Sequence, residues 1–345
     1  MTSNKNILGN LANPNFFQED LKNEDKFSNQ TLQKFYSQMF RIREAEKIIA
    51  LGKKEGKIGG PVHLGIGQEA IAVGVSHSLK TTDKVFSGHR SHAHLLALGS
   101  DSRKLFAEIL GRSTGLSKGM GGSMHLIDKE VGFLGSVPIV AGTVPLAVGA
   151  ALASTLRKDK SVAIAYLGDG AIEEGVVHES LNLAKILSCP IIFVMENNLF
   201  SSHMHISLRQ PSDLTARYAE ANNIYNETID GNDVIQVALS IKNAVNNARE
   251  DMSPAFIECV TYRWLGHVDW REDIDVGVSR SKTEISKWKK RDPINRLERT
   301  LIKKHILDPN QIKSLNESII DEIQKDWNKA LKDPSQQNDF FKNLI

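Results

Sequence analysis

Between residues 161 and 198 the chain reads as an apolar run, a Gly-Asp-Gly, a helical stretch, a second apolar run and an Asn-Asn pair. No other segment narrows the possible folds as much. "SVAIAYL" (161–167) and "PIIFVM" (190–195) have the length and composition of buried strands. Residues 173–187 place Val176, Val177, Leu181, Ala184 and Leu187 at helical spacing. A strand, a helix and a strand in so short a length form a parallel crossover, and a right-handed crossover sets the second strand near the first. Asp169 then leaves one strand, and Asn197 and Asn198 leave the other, at the carboxyl edge where open parallel sheets bind ligands.

The surrounding sequence extends the same architecture. A helix begins in "NQTLQKFYSQMFRIREAEKIIALGKKEG", with Leu32, Phe35, Met39, Ile42 and Ala45 on one face. "QEAIAVGVSHSL" and "SRKLFAEILG" read as helices, the second closing on a glycine suited to a C-cap. "GRSTGLSKGMGGSMH" (111–125) is too rich in glycine for regular structure, and "TVPLAVGAALASTLR" is a small-residue helix able to pack closely on a sheet. The helix "VIQVALSIKNAVNNARE" precedes a third strand, "PAFIECVTYRW" (254–264). The predicted fold class is α/β, a parallel sheet with helices on both faces. Three regions are expected: a polar, poorly anchored arm over 1–30, the α/β domain over 31–280, and a helical extension over 281–345. In that extension Pro293 and Pro309 interrupt charged helices expected at the surface or in an interface.

Composition removes several classes of function. A net charge of +2 gives no argument for nucleic acid or an anionic membrane. No run approaches the length of a membrane span, and the first residues have neither a signal peptide's apolar stretch nor an acid-poor presequence. Cys189 and Cys259 each sit in an apolar run and read as buried free thiols of a reducing compartment, so a cytoplasmic location is expected.

At the sheet edge, a carboxylate, an amide oxygen and a main-chain carbonyl make a hard-oxygen set suited to Mg²⁺, which favours few protein ligands together with phosphate oxygens. A helix starting near Ile172 would aim its N-terminus at the same anion. The pattern therefore suggests a Mg²⁺-bridged diphosphate. A strand-end Asp capping a helix, with two Asn in a turn, is the plain alternative; the strand–helix–strand setting and the closing Asn pair weigh against it.

Here the residues resemble a known pattern. "GDG" followed some thirty residues later by "NN" is similar to the thiamine diphosphate motif, in which the acid, the second amide and the carbonyl two residues on hold Mg²⁺. Those positions are Asp169, Asn198 and Phe200, the last usually Tyr in the family. The wider chain, from about residue 31 to 335, resembles the alpha subunit of the decarboxylating component of 2-oxo acid dehydrogenase complexes, the pyruvate, branched-chain and acetoin group. The matching segments are "GPVHLGIGQEAIAVG", "GHRSHAHLLALG", "GRSTGLSKGMGGSMH", "IVAGTVPLAVGAALA", the opening motif and "TYRWLGHVD".

The resemblance implies the thiamine diphosphate-binding fold and a set of roles. Arg90 corresponds to the arginine that grips the diphosphate, and His89 stands where the family generally has Tyr. Val140 corresponds to the residue whose backbone holds the aminopyrimidine ring, with Pro138 beside it. Gly170 and Ala171 should offer N–H groups to the diphosphate. His267 matches the histidine of an active-site loop that touches phosphate and handles protons, and His63 faces the substrate in pyruvate-type members. Many relatives carry His at the position of Leu265 and a regulatory Ser at that of Val268, and the loop here continues as the bulkier, more acidic "DWREDIDVG". The family's catalytic glutamate lies on a separate beta subunit that supplies the pyrimidine-binding domain, so a heterotetramer is implied, with a lipoyl acyltransferase as acceptor. His178 and Glu179 are candidates for that interface.

The activity so implied is oxidative decarboxylation of a pyruvate-like 2-oxo acid or cleavage of acetoin. Four other readings remain open at this level. One is a thiamine diphosphate carboligase or decarboxylase of sugar or secondary metabolism without a lipoyl partner. Another is a non-catalytic cofactor-binding subunit, which intact Asp169 and Asn198 oppose. A nucleotide-binding dehydrogenase lacks its G-x-G-x-x-G after a strand. A metal hydrolase built on His89, His92 and His94 lacks the helical i, i+4 pair that such sites favour.

Overall fold

The structure is a computed structural model that describes residues 6–271 and 280–336. Part of the expected "DWREDIDVG" loop and the last nine residues of the expected 281–345 extension lie outside the described residues. The strands are β1 (Lys84–Ser87), β2 (Phe133–Ser136), β3 (Ala163–Gly168), β4 (Ile191–Asn197), β5 (Phe200–Ser201), β6 (Met204–His205), β7 (Tyr225–Asp230) and β8 (Ala255–Val260). Six of them form one parallel sheet in the order β2-β1-β3-β4-β8-β7, while β5 and β6 pair as a small antiparallel ribbon.

Alternation along the central strands divides the core into two layers. Ile164, Tyr166, Ile192, Val194 and Ile257 point to one face, which is covered by α1 (Asn29–Lys54), α2 (Glu69–Ser76), α3 (His92–Ala97), α4 (Ser102–Ile109) and, further along the chain, α8 (Val234–Asp251). Ala163, Ala165, Leu167, Ile191, Phe193 and Met195 point to the other, under α5 (Val144–Arg157) and α6 (Gly175–Ile186), with the short α7 (Arg217–Ala221) at its margin. The α/β class and the two-faced parallel sheet are as the sequence predicts. Leu187 differs, since it is exposed just past the end of α6 rather than on its apolar face.

Residues 1–5 of the expected arm lie outside the described residues, but the first and last described segments are better packed than expected. Buried guanidinium groups need several acceptors, and Arg291 and Arg296 find some of theirs in the carbonyls of Leu11 and Glu19. Leu21 donates its N–H to Thr300 Oγ1, and Leu8 and Leu21 are buried. Residues 6–28 therefore run as a fastened strap rather than a loose arm. After α9 (Lys282–Lys289), the two prolines occupy the first residues of α10 (Pro293–Lys303) and α11 (Pro309–Lys332), where no N–H is required. These helices are not peripheral. Leu297, Leu301, Ile323 and Trp327 are buried in the same core layer as α1, and Trp327 meets Phe106 edge-on with ring centroids 5.4 Å apart.

The chain passes from β1 to β2 on one side and then back across β1 to β3, so the order reverses between β1 and β3. Ligands of open parallel sheets bind at such a reversal, beyond the carboxyl ends of the strands.

Candidate active site

A cavity of about 320 Å³ lies at that reversal. Its wall takes His89 and Arg90 from the segment after β1, Gly168, Asp169, Gly170 and Ala171 from the end of β3, and Asn198 and Phe200 from the end of β4. His63, Pro138, Val140 and His267 complete it, so all eleven residues singled out in the sequence face one cavity. Parallel pairing sets Gly168 opposite Glu196 and thereby brings Asp169 and the Asn pair to the same edge.

The two asparagines divide their work. Asn197 is fully buried and structural: its Nδ2 donates to Glu258 Oε1 at 2.7 Å and to the Asp213 carbonyl at 3.1 Å, and its Oδ1 accepts from Leu199 N. Asn198 turns to the cavity, with Nδ2 donating to Gln68 Oε1 at 3.3 Å and Oδ1 accepting from Phe200 N at 3.3 Å. Just after the pair, the chain takes the left-handed conformation at Leu199, φ 69°. Gly170 is required, since a Cβ there would run into the side chain of Ser201.

Asp169 is 1% exposed, and burial lifts its carboxyl to about 6 against the opposing pull of Arg209. Asp169, Asn198 and Phe200 line one cavity and bring a carboxylate, an amide and a main-chain carbonyl, a hard-oxygen set whose chemistry fits Mg²⁺, although the carboxylate is paired with Arg209 here. The expected helix start near Ile172 is displaced. Ala171–Glu173 form a single 3₁₀ turn and α6 begins only at Gly175, so the turn's own N–H groups, not those of the helix, lie nearest Asp169.

Across the cavity, Arg90 donates through Nη1 to the Leu64 carbonyl at 2.6 Å and through Nη2 to the His267 carbonyl at 3.3 Å. His63, His89 and His267 cluster edge-to-face, with ring centroids 4.5, 4.9 and 5.3 Å apart. Burial is the main force on each, joined by the positive charge of Arg90, and lowers His63 to about 3, His89 to about 4 and His267 to about 2. All three imidazoles are uncharged at neutral pH. The loop bearing His267 is braced: Trp264 N donates to the Ile66 carbonyl, Asp269 N to that of Val62, and Arg280 to that of Leu265. Leu265 is half-buried, and Val268 is 37% exposed.

Several participants were not given their role by the sequence. Arg209, in an aperiodic loop, reaches the Asp169 carboxylate and Glu173. His94 stacks on Tyr166 at 3.6 Å and bridges Ser87 Oγ at 2.8 Å to Glu196 Oε1 at 3.1 Å, and both Ser87 and Glu196 line the cavity. Glu108 accepts backbone N–H bonds from Ser117, Gly119 and Gly121, shaping the glycine-rich loop that carries Met124 to the cavity wall. The hydrolase grouping of His89, His92 and His94 is not assembled, because His92 bonds Ser123 and His94 bonds Ser87, away from His89. His178 packs edge-on against Tyr218, while Glu179 is exposed. Both cysteines are buried and unbridged, and no helix among the described residues is long and apolar enough to cross a membrane.

Known proteins share this sequence over most of its length. The family model for the dehydrogenase E1 component matches residues 37–339. The alpha subunit of acetoin:2,6-dichlorophenolindophenol oxidoreductase from Bacillus subtilis is 36% identical over 291 residues, covering 84% of this chain and 86% of that protein. Pyruvate dehydrogenase E1 component subunit alpha is 36% identical over 310 residues in Rhizobium meliloti, covering 90% and 88% of the two chains. The Porphyra purpurea protein of the same name is 38% identical over 291 residues, covering 82% and 81%. With a family match across the sheet, the cavity and the C-terminal helices, the chain belongs to the dehydrogenase E1 component family.

Proposed function

We propose that this chain is the alpha subunit of a thiamine diphosphate- and Mg²⁺-dependent enzyme that oxidatively decarboxylates a pyruvate-like 2-oxo acid or cleaves acetoin. Membership of the E1 family makes the chain part of a decarboxylating oxidoreductase and implies thiamine diphosphate. The observation that carries the finer reading is the convergence of Asp169, Asn198 and Arg90 on one cavity at the sheet reversal.

In this reading the Asp169 carboxylate, the Asn198 amide oxygen and the Phe200 carbonyl hold Mg²⁺. Arg90 and His89 bind the diphosphate from one side, and the N–H groups of Gly170 and Ala171 do so from the other. Pro138 and Val140, on the 138–140 segment at the cavity mouth, hold the aminopyrimidine ring. The cofactor would supply a nucleophilic thiazolium carbon to add to the substrate carbonyl and a cationic ring to accept the electron pair left when the carboxylate or acyl neighbour departs. His63 and His267 carry protons at the substrate oxygen. Both start uncharged, the state a general base requires, but burial and the Arg90 charge hold their proton affinity low, and a bound diphosphate beside Arg90 would raise it.

The relatives are alpha subunits by name, and the site reads as half of a whole. A beta subunit supplies the pyrimidine-binding domain and the catalytic glutamate in a heterotetramer, and a lipoyl acyltransferase takes the acyl unit. Asp169→Ala tests the cofactor assignment: with the partner chain present, calorimetry should find thiamine diphosphate binding lost and circular dichroism should find the fold retained. Unchanged affinity overturns it. Turnover of pyruvate, acetoin and branched 2-oxo acids with an artificial electron acceptor identifies the substrate.

A further inference from the structure

Three imidazoles from three separate segments meet in this cavity. His63 follows α1, His89 follows β1, and His267 follows β8. One ring nitrogen from each lies within 4.8 Å of the others. The rings stand at 66°, 75° and 69° to one another, edge-to-face, and leave one nitrogen of each near the other two. His63 is 7% exposed, and its Nδ1 is buried with no hydrogen-bond partner. A buried acceptor left unpaired costs about 1–3 kcal/mol, and a metal ion is one way of satisfying it.

We propose that His63, His89 and His267 form a site for a zinc-class divalent ion in the cofactor-free cavity, and that this ion and the cofactor diphosphate exclude one another. Zinc takes three protein nitrogens at about 2.0–2.1 Å with a fourth position open. Tetrahedral geometry at that bond length sets the nitrogens roughly 3.4 Å apart, so the cluster must contract a little. His89 and His267 are only half-buried and can turn to allow it. Ligand type separates this site from the one at Asp169: nitrogen donors favour zinc, cobalt and nickel, whereas the oxygen donors of Asp169, Asn198 and Phe200 favour Mg²⁺. Arg90, with Nη2 3.5 Å from His267 Nδ1, is the opposing charge. It weakens the site and favours an anion such as hydroxide in the open position. Exclusion by the diphosphate rests on the proposed function, in which His89 and Arg90 face the phosphates. Metal binding itself does not rest on it.

The full chain, stripped of metal by a chelator and free of cofactor, is titrated with Co²⁺ as a spectroscopic stand-in for zinc. Visible d–d bands of four-coordinate intensity are expected, and Zn²⁺ should displace them. His89→Tyr leaves two imidazoles and should weaken Co²⁺ about 100-fold, while His267→Asn, on a surface loop, should do the same. Circular dichroism checks that both variants fold. Absence of the bands in the wild-type chain, or an unchanged affinity in both folded variants, overturns the metal site. Exclusion is read by calorimetry with the partner chain present. Zn²⁺ should weaken thiamine diphosphate in the wild type beyond its effect on His89→Tyr, a comparison that removes chelation by the cofactor itself. An equal effect on both overturns exclusion. Failure of thiamine diphosphate to bind at all, with the cobalt bands intact, counts against the functional reading and leaves the metal site standing.

Discussion

The Arg209 guanidinium lies on Asp169, donating through Nη2 to its carboxylate and through Nη1, at 3.4 Å, to its carbonyl. Both groups are buried in this ion pair, with side chains 8% and 2% exposed. A cation coming to the Asp169 carboxylate must therefore displace an existing one. Arg209→Met is expected to tighten Mg²⁺, with thiamine diphosphate present, by about tenfold, the equivalent of one charge-assisted contact. Calorimetric titration with Mg²⁺ measures it, and a weaker Mg²⁺ would show that Arg209 supports the site instead of competing with it.

Glu108 shapes the glycine-rich loop through N–H bonds from Ser117 at 2.6 Å, Gly119 at 2.9 Å and Gly121 at 2.6 Å. Gly115 and Gly121 leave no room for a Cβ against Glu108 and the His125 carbonyl, so the loop backbone is held close around this carboxylate. Glu108→Gln removes the charge from three buried bonds and should cost about 2–4 kcal/mol. Faster amide exchange over residues 113–123, read by mass spectrometry, would mark the loosened loop.

Asp233 caps α8 by accepting from Ile235 N and Gln236 N, both at 3.0 Å. Burial raises its carboxyl to about 6, against the pull of Arg296. The folded pKa lies above the unfolded one, so below about pH 6 the native state holds a proton that the unfolded chain has lost. Burying the ionised form thus costs stability above pH 6, and the cost fades as the pH falls toward 3.8. Asp233→Asn keeps the cap and removes this dependence. Between pH 7 and pH 4 the wild type should gain about 1–3 kcal/mol relative to the variant, measured by urea unfolding at each pH.

Gly52 in α1 lies against the ring of Trp327 in α11, where a Cβ would come within 2.6 Å of two ring carbons. Gly52→Ala gains helix propensity but overpacks a rigid indole, and the second effect should win by about 1–3 kcal/mol. Trp327→Ala opens a cavity and should cost about 3–5 kcal/mol. If α11 were a dispensable extension, neither substitution would lower the melting temperature.

Much of the architecture is local in origin and legible along the chain. The buried runs of β3, β4 and β8, the periodicity of α1 and α8, and the Gly-Asp-Gly and Asn-Asn that close two strands all rest on short-range patterns of side chains. Short strands such as β1 and β2, four residues each, carry too little pattern to be seen. Asp169, Asn198 and Phe200 were legible through a motif whose spacing reflects one strand–helix–strand unit, whereas Arg90, Val140 and the histidines came from the wider family resemblance. Arg209, Glu196, His94 and Glu108 escaped because each acts on a group distant in sequence or carries no pattern of its own, as with Arg209, which reaches Asp169 forty residues earlier. Long-range contact also reversed two expectations, since the strap over residues 6–28 and the helices α10 and α11 are polar in composition yet held by buried arginines and by Trp327. Patterns along the chain settle which segments become strands and helices, because burial has a period. Which distant charges meet depends on how the layers pack, and only the folded chain contains that.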